Sequence, residues 1–336
     1  MNIIVYDLLC AQPSKNIKFH GGGEYAKAVF KYLVEHYVNN NDSVIEVCYN
    51  KDIFIDEWIK SLIDKNQIVA YDVKNINDIV RILNEIDSTN NIRFYTALAN
   101  NFRLSLCSIN KNIYTIGTCH GLRTLEKPFD EHSWRYYHSV RSIKEILRST
   151  VLKKLLFKKH LAMYSDAIEN FDTIITDSNH SANAIRIYLS DIAHKKDIEV
   201  LYAPMKNSTV KGKKRISNEH FILLLSADRW EKNTYRAVTA IDLLYSKGYL
   251  TDVTTKILGN YPIQLKKKIK NISKFEFSGY ISSEELEDLY ANCDVFLYPS
   301  LNEGFGMPPL EAMKYGRTCV VSGVCSLPEI CGDAVY

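Results

Sequence analysis

Glu303 and Glu311 flank a short loop in the stretch Pro299-Ser-Leu-Asn-Glu-Gly-Phe-Gly-Met-Pro-Pro-Leu-Glu311. Before the loop, Val295-Phe-Leu-Tyr298 reads as a short buried strand; after it, Leu310, Met313 and Lys314 open a short helix that Gly316 can stop. Pro308 and Pro309 suit the first turn of that helix, where no backbone donor is required. A loop containing Gly304 and Gly306 that enters a helix N-terminus offers unused N–H groups and the positive end of the helix dipole, a natural seat for phosphate. An acid in the first turn can also reach vicinal hydroxyls such as those of a ribose. Taken singly, Glu311 is a first-turn acid favoured by the dipole, Glu303 a solvated loop residue, and the glycines turn formers. Their combination points to a nucleotide-sugar site.

This segment resembles the E-x7-E signature of retaining glycosyltransferases of the GT-B fold, specifically glycosyltransferase family 4. The similarity extends through Glu311-Ala-Met-Lys-Tyr-Gly316, Val320-Val-Ser322 and Leu327-Pro-Glu-Ile-Cys-Gly332. It includes Phe277-Ser-Gly-Tyr280 and the run to Tyr298-Pro-Ser300 upstream. It is dense over roughly the last third of the chain and sparser before it. The resemblance implies two Rossmann-like domains facing a cleft, with the donor on the C-terminal domain and the acceptor on the N-terminal one. It implies that Glu303 bonds hydroxyls of the donor sugar, that the backbone from Gly304 through Phe305 and Gly306 to Met307 holds sugar and phosphate, and that Glu311 holds the ribose.

Three further places take a role from the same resemblance. In Ser226-Ala-Asp-Arg-Trp-Glu-Lys-Asn233, Arg229 and Lys232 match the basic pair that binds the donor diphosphate; a planar guanidinium fork and a compact ammonium suit phosphate oxygens. Gly22 and Gly23, in Gly21-Gly-Gly-Glu24, match a glycine-rich loop facing the donor, though they do not form the G-x-G-x-x-G of a dinucleotide site. His120, in Gly117-Thr-Cys-His-Gly-Leu-Arg123, matches a strand-end histidine near the transferred sugar; a lone histidine is as readily structural. Asp177-Ser-Asn-His-Ser181 reads as a turn before a capped helix, with capping as its role.

The elements that must position these residues alternate between strand and helix. Strands are expected at 3–8, 44–49, 68–73, 92–98, 113–118, 173–177 and 199–203, with helices at 24–37, 75–86 and 181–189 among them. A polar, basic stretch without apolar period, 206–218, is taken as a linker between an N-terminal domain, 1–205, and a C-terminal domain, 219–336. The second half continues with strand 221–225, helix 233–247, strands 253–258 and 275–278, helix 283–292 and strand 295–298; Ser283 with Glu284, Glu285 and Glu287 suggests a capped, acidic helix start. Such alternation implies an α/β fold with mostly parallel sheets covered on both faces. Ala334-Val-Tyr336 reads like the opening of a strand, and members of the family continue through further helices, so the C-terminal domain is expected to be truncated.

Composition bounds the rest. The 336 residues suffice for two cored domains, and 46% hydrophobic with 24% charged residues is an ordinary globular balance. A net charge of +3 gives no support for a nucleic-acid partner, and with no membrane-spanning run or signal peptide evident a cytoplasmic location is expected. The eight scattered cysteines form no C-x-x-C pair and read as buried thiols rather than zinc ligands. No D-x-D motif is present, so no metal or other cofactor is expected, with a UDP-, GDP- or dTDP-sugar as substrate and a saccharide or lipid-linked saccharide as acceptor. Residues 135–160 carry eight Lys or Arg against one acid, Glu145, among apolar residues partly at helical spacing. That pattern fits either a basic amphipathic helix at the inner face of a cell membrane or a solvated helix packed by its apolar side. The rival to a retaining hexosyltransferase is a truncated, non-catalytic nucleotide-sugar-binding or interaction protein, with an epimerase or phosphorylase of the same fold behind it.

Overall fold

In a computed structural model, residues 2–13, 21–37, 43–86, 90–103, 106, 109, 112–205 and 218–336 are described. The chain divides into two units, Met1–Leu122 with His160–Lys206, and Arg123–Lys159 with Asn207–Tyr336.

The first unit is built on a seven-stranded, wholly parallel sheet of order β3-β2-β1-β4-β5-β6-β7. In chain order it contains β1 (Asn2–Asp7), α1 (Gly21–Tyr37), β2 (Ser43–Tyr49), α2 (Glu57–Asp64), β3 (Val69–Asp72), α3 (Ile76–Glu85), β4 (Asn91–Thr96) and β5 (Ile113–Cys119). After Leu122 the chain contributes α4 (Ser139–Thr150) and the beginning of α5 (Lys153–Glu169) to the other unit. It then returns with the rest of α5, β6 (Thr173–Thr176), α6 (Asn179–Tyr188) and β7 (Asp197–Val200). Tyr6 and Leu8 from β1 and its exit, Ile45 and Val47 from β2, and Ala26 and Phe30 from α1 form a buried cluster on one face of this sheet. Asn75 caps α3 by accepting from Asn77 N at 2.9 Å while Asp78 reaches back to Asn75 N, the reciprocal capping box.

The second unit carries a five-stranded parallel sheet of order β10-β9-β8-β11-β12. Its elements are β8 (Phe221–Leu224), α7 (Thr234–Ser246), β9 (Thr254–Leu258), β10 (Phe275–Ser278), α8 (Ser283–Asn292), β11 (Val295–Tyr298), α9 (Met307–Lys314) and β12 (Thr318–Val321). Alternation along β8 assigns its two faces: Phe221 and Leu223 enter a cluster with Tyr290, Phe296 and Ala312, while Leu224 enters one with Val238, Ile241 and Phe275. Sheet faces buried on both sides explain why these strands read as continuous apolar runs. The helix start at α8 is capped by Ser282, one residue before the expected Ser283, through a capping box with Glu285.

The expected domain 1–205 needs correction at residues 123–159, which pack with the second unit. Arg236 grips Asp130 through two bonds of 3.0 and 3.1 Å and also reaches Glu131; Tyr235 N donates to Tyr136 Oη at 2.8 Å, and Gln264 Nε2 donates to Arg135 O at 2.9 Å. These partners lie more than ninety positions apart in sequence, beyond the reach of any local pattern. The expected linker, 206–218, lies outside the described residues except for Asn218. Among the described cysteines none forms a disulfide; Cys107 is outside them. No described helix is long and apolar enough to cross a membrane.

Candidate nucleotide-sugar site

In the second unit, strand order reverses between β8 and β11, and the crevice beyond the carboxyl ends of two such strands is where open α/β sheets bind ligands. Residues 226–233 follow β8 and residues 299–306 follow β11, so two of the sequence motifs meet at that switch point. Lys232 Nζ donates to Glu303 Oε1 and to Tyr298 Oη, each at 2.5 Å. Both partners of the ion pair are well buried, with side chains 8% and 13% exposed. Burial works to raise the Glu303 pKa, but the Lys232 ammonium, with help from Ser300 and Tyr298, outweighs it and holds the carboxyl below its ordinary range. Burial lowers the Lys232 pKa and the Glu303 carboxylate opposes it.

Main-chain and hydroxyl contacts lock the two turns together. Leu301 N and Ser300 Oγ both donate to Glu231 O, at 2.7 and 3.2 Å. Ser326, fully buried, donates to Glu303 O and Phe305 O at 3.1 and 2.8 Å, and Ser322 Oγ donates to Ser300 O. Backbone strain gathers here too, since Ser226, Asn233 and Cys325 adopt φ of 54°, 58° and 53°. Two glycines are obligatory. Gly306 has φ of 104° and a Cβ there would lie 2.6 Å from Leu327 Cδ2; Gly259 has φ of 100° and a Cβ would lie 2.7 Å from Ala227 N.

Gly306 is the N-cap of α9, and Pro308 and Pro309 occupy its first turn. Because proline has no N–H, the donors that this helix start can present are those of Gly306 and Met307. Gly304 and Phe305 complete the loop, Phe305 with its side chain buried. Glu311, on α9, accepts a 3.0 Å bond from Tyr290 Oη, which anchors the carboxylate to the core. Arg229 remains 44% exposed, 4.0 Å from Glu231, whose other oxygen lies 3.3 Å from Arg123. With Tyr136, His138, Arg141, Asp228 and Asn260, Arg229 lines a cleft of about 450 Å³. Three of those side chains come from the segment that the sequence reading had assigned to the other domain.

The remaining expected residues belong to the first unit. Gly22 and Gly23 are not in a loop: with Gly21 they form the first turn of α1, three residues ahead of its expected start. The most they can offer a ligand is helix-terminal N–H groups. His120 follows β5, with Nδ1 2.8 Å from Asp177 Oδ2, Nε2 2.9 Å from Ala97 O and its ring edge-on to Tyr25. A sugar contact through either nitrogen must first displace one of these acceptors. Asp177, read from sequence as part of a cap, instead orients His120, and Ser178 does the capping by accepting from Ser181 N at 3.1 Å. Sequence reasoning also missed Tyr298, Tyr290 and Ser326. Only the aromatic pair carried a signal, being hydroxyl-bearing residues in otherwise apolar runs.

The two parallel-sheet units have the GT-B fold, and residues 205–336 match the family described as glycosyl transferases group 1. The chain is 33% identical over 147 residues to the serotype-specific mannosyltransferase WbdA of Escherichia coli, covering 40% of this chain and 18% of that protein. It is 53% identical over 58 residues to the O-antigen chain mannosyltransferase B of Escherichia coli, covering 17% of this chain and 15% of that one. The chain thus spans less than a fifth of the length of these curated relatives. The solved structure of a sucrose-phosphate synthase from Thermosynechococcus elongatus shares the fold at a TM-score of 0.67 and 13% identity, covering 100% of this chain and 85% of that one.

Proposed function

We propose that this chain is a hexosyltransferase that moves a sugar from a nucleotide-sugar donor to an acceptor hydroxyl with retention of configuration, in assembly of a surface polysaccharide or glycoconjugate. The observation that carries this reading is the Lys232–Glu303 pair at the switch point, on the loop that runs into the helix bearing Glu311. An ammonium has three N–H groups, and Lys232 uses two on Tyr298 and Glu303, which leaves one for a phosphate oxygen. Arg229, exposed on the cleft, supplies the second cation. Together they neutralise the diphosphate as its bond to the sugar breaks, in a buried setting where charges act strongly.

Glu303 holds donor-sugar hydroxyls, the N–H groups of Gly306 and Met307 hold sugar or phosphate oxygens, and Glu311, already oriented by Tyr290, holds the ribose. On this reading the acceptor oxygen bonds to the anomeric carbon on the face the diphosphate leaves, and the acceptor proton passes to a departing phosphate oxygen. Charge supplied by Arg229 and Lys232 makes a divalent cation unnecessary. The relatives' names make nucleotide-activated mannose the first donor to try.

The test is to present UDP-, GDP- and dTDP-sugars to the purified chain with and without EDTA. One nucleotide-sugar should bind, Glu311→Ala should weaken it by ~1.5–3 kcal/mol through loss of a charged hydrogen bond, and turnover should survive the chelator. Failure of every nucleotide-sugar to bind would sink the reading, and abolition by EDTA with rescue by magnesium would sink its metal-independent part.

A further inference from the structure

The helix α4 is turned inside out. Its one acid, Glu145, is buried and lies 3.5 Å from Arg148, while Val140, Ile143 and Leu147, one stripe at helical spacing, face solvent. Past the end of α4, Val151 and Leu155 continue the apolar exposure, and all five side chains are between 49% and 78% exposed. Sequence alone left open whether these residues pack inward. The structure excludes that, and such a run of exposed aliphatic side chains marks an interaction surface.

Charge identifies the occupant. Lys144, Lys153, Lys154, Lys158 and Lys159 are all exposed around the stripe, and residues 135–160 hold eight basic residues against the single buried acid. A second copy of the chain would bring the same positive segment against itself. Ammonium groups on flexible stems, without the fork that a fixed carboxylate partner favours, suit a fluid anionic surface. We propose that α4 and the start of α5 dock this protein on an anionic lipid membrane, the aliphatic stripe entering the headgroup region and the lysines contacting lipid phosphates. On its other side α4 supplies Arg141 to the cleft that Arg229 lines. Resting on the transferase reading above, this places the acceptor in the class of saccharides carried on a membrane lipid.

The full chain, without donor or acceptor, is sedimented with phosphatidylcholine vesicles with and without phosphatidylglycerol. Binding should require the anionic lipid and weaken in high salt. Each lysine near an anionic leaflet is worth roughly fivefold in partitioning, so Lys153→Gln with Lys154→Gln, Lys158→Gln and Lys159→Gln should lower it on the order of several hundredfold. Val140→Ser with Ile143→Ser, Leu147→Ser and Leu155→Ser should abolish binding at an unchanged melting temperature, because those side chains are already in water. No binding of wild type at low salt overturns the proposal. So does a large fall in melting temperature in the serine variant, or self-association that both variants abolish. None of these outcomes touches donor binding, so the transferase reading fails or stands separately.

Discussion

Lys232 has an ammonium whose neighbours are Glu303 and Tyr298, in a largely buried site. Breaking one side of such a pair strands a buried charge, whereas replacing both by apolar groups of similar size removes the desolvation penalty as well. Glu303→Leu or Lys232→Met alone should therefore destabilise the protein by about 3–5 kcal/mol, and the double variant by far less than the sum. Urea melts of the four proteins measure this; additive losses would show that the two charges are not coupled. Asp7, at the carboxyl end of β1, is the opposite case, a carboxyl with no cation among its bonded partners in the described residues. Burial pushes its pKa up to about 6, against bonds from Thr96 Oγ1 at 2.7 Å and Cys10 N at 3.3 Å. An unfolded Asp titrates near ~3.9, so the native state holds the proton more tightly. The stabilisation is complete below that value and lost as pH rises through 6. Asp7→Asn should then raise stability at neutral pH by about 2–3 kcal/mol and change little near pH 4, and denaturant melts at both pH values test it.

At the scale of elements, the segment 123–159 matters most, because it adds Tyr136, His138 and Arg141 to the Arg229 cleft. Its anchor is Asp130 on the fork of Arg236. Burial pushes the Asp130 pKa up, but Arg236 and the His132 N–H outweigh it and hold the carboxyl below its ordinary range. A depressed folded pKa means that the contribution is present above the unfolded value and disappears as pH falls through the folded one. Asp130→Asn should loosen the segment by ~1.5–3 kcal/mol, the worth of a charge-assisted bond. Amide exchange should quicken at residues 123–137 and stay unchanged in β1; uniform quickening would mean that Asp130 supports the whole fold. Arg236→Lys should behave similarly, since an ammonium cannot reproduce the two parallel bonds. The glycine run before α1 belongs to this scale as well. Its residues look like a loop because glycine weakens helices, yet here they open one, with the seven residues before them outside those described.

For the molecule as a whole, two separately cored units make single-step unfolding a poor expectation. If the donor binds at the β8–β11 switch point, a hundredfold excess over Kd should stabilise the second unit by about 2.7 kcal/mol. Amide exchange resolved along the chain would show protection over 218–336, and protection confined to 2–103 would move the donor to the first unit. The alternation of strand and helix, the parallel class of both sheets and the loop-and-helix form around Glu303 and Glu311 were legible from sequence, because they rest on periodicity and turn chemistry between near neighbours. Family resemblance marked Lys232 and Arg229, and nothing local could have told that Lys232 would meet Tyr298, which stands 66 positions away. The seven- and five-strand orders, the transfer of 123–159 to the second unit and the engagement of His120 by Asp177 are likewise long-range pairings. In α4 the sequence determined an amphipathic helix; only tertiary structure decided that Glu145 turns inward and the aliphatic stripe outward, because what a helix buries depends on the surface it meets.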